Sequence, residues 1–147
     1  MDKRLLQHVR GVHAIPPTTT SGSSAVTSSN VARLGANGAM ARSALLVIEH
    51  GAMSVGTVVV TPTIVEGPST SPVTAVTMKT ALPAFTPSAA GIEVYELNLE
   101  GIDANFKVVL TPATGDSGVV TLTCAVILGD MDINPEATSA VVYEKAA

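Results

Sequence analysis

The sequence predicts an all-β fold, an antiparallel β-sandwich with an extended N-terminal arm and a C-terminal tail. Pro62, Pro68, Pro72, Pro83, Pro87 and Pro112 interrupt every stretch in which a long helix might form, because proline removes a backbone donor and clashes with the preceding turn. Between them lie runs of Val, Ile, Thr and Leu whose apolar residues alternate with a period of two, the spacing of a half-buried strand. Gly, Pro, Asn and Asp punctuate these runs often enough to give seven or eight short strands, the pattern of a sandwich or jelly roll.

Taken in chain order, residues 1–24 form an arm and a linker. Ile15-Pro16-Pro17 favours an extended path, and Thr18-Thr19-Thr20-Ser21-Gly22-Ser23-Ser24 has little to bury. Residues 25–130 form the sandwich domain, with strands expected at 25–34, 42–50, 55–65, 73–80, 92–99, 105–111 and 118–128. The last is the clearest: Val120, Leu122, Cys124, Val126 and Leu128 share one face. In 105–111, Phe106, Val108 and Leu110 point inward and Lys107 outward. Leu45-Leu46-Val47-Ile48 is apolar on both faces, as in a central strand or one side of an interface. In 92–99 the apolar parity changes, with Ile92 and Val94 on one face and Leu97 and Leu99 on the other. A β-bulge near Tyr95-Glu96, or a strand that switches sheets, reconciles them. Residues 131–147 form the tail, in which Val141-Val142-Tyr143 adds a late strand or docks on a neighbour.

Composition narrows the function. Charged residues make up 14% of the chain against about 25% in an ordinary soluble domain, so either much of the surface is Ser, Thr and Gly or part of it is covered by other chains, and both are expected. The net charge of −4 and the scattered positions of Lys and Arg argue against nucleic acid, which needs a cationic stripe. Aromatics at 3% leave no stacking platform for single strands or sugars. The N-terminus is too short in apolar residues for a signal peptide, and no segment is long enough for a membrane helix, so synthesis in the cytoplasm of the producing cell is expected.

No constellation of residues points to catalysis, to a cofactor or to a metal. Cys124 alternates with apolar neighbours and reads as a buried thiol. His8, His13 and His50 lack metal-ligand spacing. Asp130, Asp132, Asn134 and Glu136 resemble the start of a calcium loop, but Pro135 stands where that loop needs Gly and Val141 where it needs Glu. Glu93 and Glu96 fall on opposite faces of a strand, and no serine stands in a Gly-x-Ser-x-Gly elbow. A non-enzymatic protein is expected.

Several segments resemble a known group. Leu34-Gly35, Ala44-Leu45-Leu46-Val47-Ile48-Glu49-His50-Gly51, Val58 to Thr63, Asn105-Phe106-Lys107-Val108-Val109-Leu110-Thr111-Pro112 and Ala125-Val126-Ile127-Leu128-Gly129-Asp130 are similar to strands of small structural proteins of tailed bacteriophages. Size, sandwich and arm most resemble the jelly-roll capsid cement, or decoration, proteins of the Bordetella phage type. The chain departs from that group at Glu66-Gly67-Pro68 and Glu100-Gly101-Ile102, where a D-G or Y-R-G turn is common. The resemblance implies a virion protein on the outer capsid surface that ties major capsid protein subunits together, with no catalytic residues. It implies as partners the major capsid protein and other copies of the chain, for example as a dimer, and neither nucleic acid nor membrane. Residues expected at such interfaces are Leu5, Leu6, Val9, Val12 and Ile15 in the arm, and Val141, Val142 and Tyr143 in the tail. Two rival readings are a phage tail-tube, head-completion or fibre protein, and a secreted adhesin or carbohydrate-binding module.

Overall fold

The computed structural model describes residues 9–21, 23–34, 40–54, 58–114, 118–129 and 141–147. One sheet contains β1 (Val9–Ser21), β4 (Ser43–His50), β7 (Gly91–Asn98), β9 (Val119–Gly129) and β10 (Val142–Glu144), in the order β1-β9-β4-β7-β10. The second contains β2 (Val26–Thr27), β5 (Val58–Gly67), β6 (Thr74–Ala75) and β8 (Asn105–Thr114), in the order β2-β8-β5-β6, and β3 (Val31–Ala32) also pairs with β8. All pairs are antiparallel except β10 on β7.

If β2 and β3 are counted as one interrupted strand, the first sheet holds strands one, eight, three and six, with β10 added as a ninth at its edge, and the second holds strands two, seven, four and five. That winding is an eight-stranded jelly roll. Ser28 bridges the interruption. Its N–H donates to the Val108 carbonyl at 2.8 Å, and its hydroxyl accepts the Val108 N–H at 2.9 Å, so the β8 backbone stays satisfied where the ladder stops.

The core lies between the sheets and follows the alternation of the sequence. Leu122, Cys124 and Val126 of β9, Leu46 and Ile48 of β4, and Phe106, Val108 and Leu110 of β8 are all 0% exposed. Each buried aliphatic contributes about 1.5–3 kcal/mol of transfer free energy.

Two central strands contain proline, which normally marks an edge. Pro62 lies opposite Leu110, and Pro112 opposite Val60. Val60 exchanges backbone bonds with Phe85, and Ile64 accepts from the Val76 N–H, so alternate residues of β5, Pro62 included, face away from β8. On β8, Val108 turns its backbone toward Ser28, and by the same alternation Pro112 faces that side, where β2 reaches only to Leu110. Neither proline interrupts the β5–β8 ladder.

The segment expected as an arm and linker is, from Val9 to Ser21, an edge strand on β9. Register shifts between His13 and Ile15 and between Ile15 and Thr18 accommodate Pro16-Pro17 at an edge, where no donor is required. The expected strand 73–80 is regular only at β6. Beyond it the chain turns to the C-terminal tail, with the Lys79 N–H on the Glu144 carbonyl and the Ala146 N–H on the Thr77 carbonyl, both at 2.8 Å. β7 has neither the bulge nor the sheet switch expected of it. It stays in continuous register with β4 from Gly91 to Asn98, and the parity conflict disappears because Ile92 and Val94 simply face outward, 59% and 58% exposed.

Candidate functional site

The outward face of the β1-β9-β4-β7-β10 sheet is unusually apolar. The register sets Ile127, Leu45, Glu96 and Val142 side by side in one row, Ala125, Val47 and Val94 in the next, and Thr123, Glu49 and Ile92 in a third. Leu45, Ile92 and Val94 are exposed, and Val47, Ala125, Ile127 and Val142 are half-buried. The opposite sheet also turns valines outward, Val59, Val65 and Val109, but these are half-buried, and its exposed residues include Thr61, Thr63 and Thr27. Contiguous aliphatic exposure of the first kind marks an interaction surface.

The face also has shape and charge. One shallow depression of about 340 Å³ is lined by Val9, Ser43, Leu45, Glu96, Ile127 and Gly129. A second, of about 220 Å³, is lined by His13, Val47, Glu49, Thr123 and Ala125, with Cys124 beneath. Glu49 and Glu96 have no ion-pair partner among the described residues. At the β1 edge the polar groups satisfy one another. The Thr123 hydroxyl donates to the Ile15 carbonyl at 2.7 Å, and Thr19 and Thr121 share a hydroxyl bond of 3.0 Å.

The groups that carry chemistry are placed for structure. Cys124 is free and buried, and burial pushes its thiol up to about 12, away from the thiolate that reactive cysteines use. The His50 ring stacks on Phe85 at 5.0 Å, with Nε2 3.5 Å from Glu93 Oε1. Among the described residues no group of three or more His, Cys, Asp or Glu side chains is gathered to hold a metal, and no helix is long and apolar enough to cross a membrane.

The expected interface residues divide. Val9 lines the larger depression. Val142 stands in the row with Glu96 and Ile127, and Val141 is 59% exposed. Val12 packs partly against the core, Ile15 is 1% exposed within it, and Tyr143 is 8% exposed, edge-on to Tyr95 at 5.9 Å. Leu5, Leu6 and the acidic residues from Asp130 to Glu136 lie outside the described residues. Of the residues that make the face, Leu45 and Val47 belong to the run read as a central strand or one side of an interface, and β4 is both, whereas Ile92, Val94 and Ile127 were not expected there. Their signal was the double-sided apolar run at 45–48 and the parity conflict at 92–99.

The fold and this face define an eight-stranded jelly-roll sandwich with one apolar outer sheet. No family model and no curated protein matches the chain. Among solved structures it is similar to a chain in the structure of the infectious bursal disease virus Gx strain, at 15% identity and a TM-score of 0.53. That match covers 88% of this chain and 34% of the viral one. A chain of the T13 particle of the same virus aligns at 14% identity and a TM-score of 0.46, covering 95% of this chain and 42% of the other. The chain thus spans less than half of these solved proteins, and the first likeness establishes a shared fold.

Proposed function

We propose that this chain is a non-enzymatic structural protein of a virus particle, which binds the outer surface of a capsid and cements neighbouring major capsid protein subunits against internal pressure. The observation that carries the reading is the aliphatic outer face of the β1-β9-β4-β7-β10 sheet on a jelly-roll frame. A stiff sandwich with one sticky face suits a shell, where symmetry repeats each contact and many small patches act together. The fold shared with a chain of a virus structure supports the same reading.

Electron microscopy of purified particles labelled through this chain tests it. The expected result is label at many regularly spaced sites over the shell. Label at a single vertex or along a tail supports a tail or fibre role instead, and particles without the chain overturn both.

A further inference from the structure

The apolar outer face carries two carboxylates that have no ion-pair partner among the described residues. Glu49 stands on β4 beside Ile92 and Thr123, and Glu96 stands on β7 beside Leu45 and Val142. Leu45, opposite Glu96, is four residues from Glu49 on one strand, which sets the two carboxylates about 13 Å apart along the sheet. Val47 and Val94 lie between them.

A partner that covers this face takes both carboxylates out of water. Burying a charge is strongly unfavourable unless a counter-charge comes with it, so a stable contact brings a cation to each. The same face of a second copy does not supply them. Among the described residues Arg10 donates to the Leu34 carbonyl, and Arg33 to the carbonyls of Ile102 and Ala41. Lys79 pairs with Glu144, Lys145 pairs with Glu66, Arg42 is engaged, and Lys107 stands on β8 of the other sheet. Docking two copies face to face adds two more carboxylates to an interface that already holds two.

Beside Glu49 the face has its shallow depression of about 220 Å³, lined by Val47, Thr123, Ala125 and His13, whose ring is bonded to the Thr123 hydroxyl at 3.4 Å. That volume is below the roughly 300–1,000 Å³ of small-molecule sites. It suits one long side chain, with an aliphatic stem on Val47 and Ala125 and a charged head at Glu49. We propose that the occupant of this face is a different protein, whose contact patch is aliphatic and carries two Lys or Arg side chains about 13 Å apart, one seated in the depression against Glu49 and the other against Glu96. The proposal rests on the shell-binding reading above and specifies the chemistry of the surface that is bound.

The test titrates the full chain onto particles assembled without it and reads the bound fraction by co-sedimentation at rising salt. Wild-type binding should weaken as salt rises, and Glu49→Lys combined with Glu96→Lys should weaken it about tenfold or more at low salt. Glu49→Gln combined with Glu96→Gln should fall between the two and lose much of the salt dependence. All four changes lie on the outward face, so both variants should melt with the wild type. A double lysine variant that binds as tightly as the wild type overturns the proposal and leaves shell binding standing. A double glutamine variant that binds more tightly than the wild type does the same, because the carboxylates are then covered without cations. So does a dimer of the free chain that Ile92→Thr with Val94→Thr disperses, since a second copy then covers the face. Failure of the wild-type chain to bind the particles overturns the shell-binding reading itself.

Discussion

The ammonium of Lys145 lies 2.5 Å from Oε1 of Glu66, a residue only 5% exposed. Glu66 belongs to β5 in one sheet, and Lys145 follows β10 in the other, so the pair clamps the C-terminal tail across the sandwich. The Asp103 N–H donates to Oε2 of the same carboxylate at 2.9 Å, and Lys145 also donates to the Gly101 carbonyl at 2.9 Å.

Breaking this pair from the lysine side leaves a buried carboxylate with one remaining donor. Lys145→Met is expected to destabilise the fold by about 3 kcal/mol, the lower part of the range for a buried pair because the lysine reaches solvent. The double variant with Glu66→Gln should recover part of that loss, since the stranded charge is gone. Urea denaturation of the wild type, both single variants and the double variant measures the coupling.

The outer face should behave in the opposite way. Ile92→Thr combined with Val94→Thr changes side chains that are 59% and 58% exposed and keeps β-branched residues in the strand. The melting transition is expected to move little, by less than about 1 kcal/mol, while co-sedimentation with particles falls. A variant that binds normally shows that this part of the face is not in contact.

Legibility in the sequence followed how cleanly each strand alternates. β9 and β8 show one buried and one open face, and their inward residues were readable directly. β1 was not, because Pro16-Pro17 and its two register shifts break the period that would have announced a strand. In β7 the conflict of parity was visible, but period alone does not say whether a strand bends or leaves Ile92 and Val94 in water. The Lys145–Glu66 clamp joins residues 79 apart, and no local spacing encodes such a pair. The sandwich was therefore legible, while the extent of the apolar outer face emerged only from the register of four neighbouring strands.

Stability should fall in alkali for a definite reason. Burial pushes the Cys124 thiol up to about 12, and burial, with Glu93 and Tyr143 nearby, pushes the Tyr95 phenol up to about 12. In the unfolded chain these groups ionise near 8.5 and 10, so above about pH 8.5 the unfolded state has released protons that the folded state still holds, and the linkage slope is negative. Their contribution is fully present below the unfolded values and is lost as pH rises through the folded ones. Melting curves from pH 7 to 11 should show this decline, shallower in Cys124→Ala. A Cys124→Ala profile parallel to the wild type assigns the decline to other groups.

Gly101 offers a test of backbone geometry separate from packing. It has φ +79°, and the Ile102 N–H donates back to the Leu99 carbonyl at 3.1 Å, the closing bond of a turn whose third residue needs a left-handed conformation. A Cβ added there meets nothing nearer than Lys145 Cδ at 3.9 Å, so crowding does not oppose a side chain. Gly101→Ala is still expected to cost about 1 kcal/mol, because alanine disfavours positive φ, and Gly101→Asn should cost less, since asparagine tolerates that region. Gly11→Ala is the control: its added Cβ also enters open space, but its backbone lies in a strand, so it should be neutral or slightly stabilising through the unfolded chain. Equal costs at positions 11 and 101 in equilibrium denaturation count against a conformational origin. A cost at Gly101 well above about 2 kcal/mol points instead to loss of the Lys145 contact with the Gly101 carbonyl, and so to the clamp on Glu66.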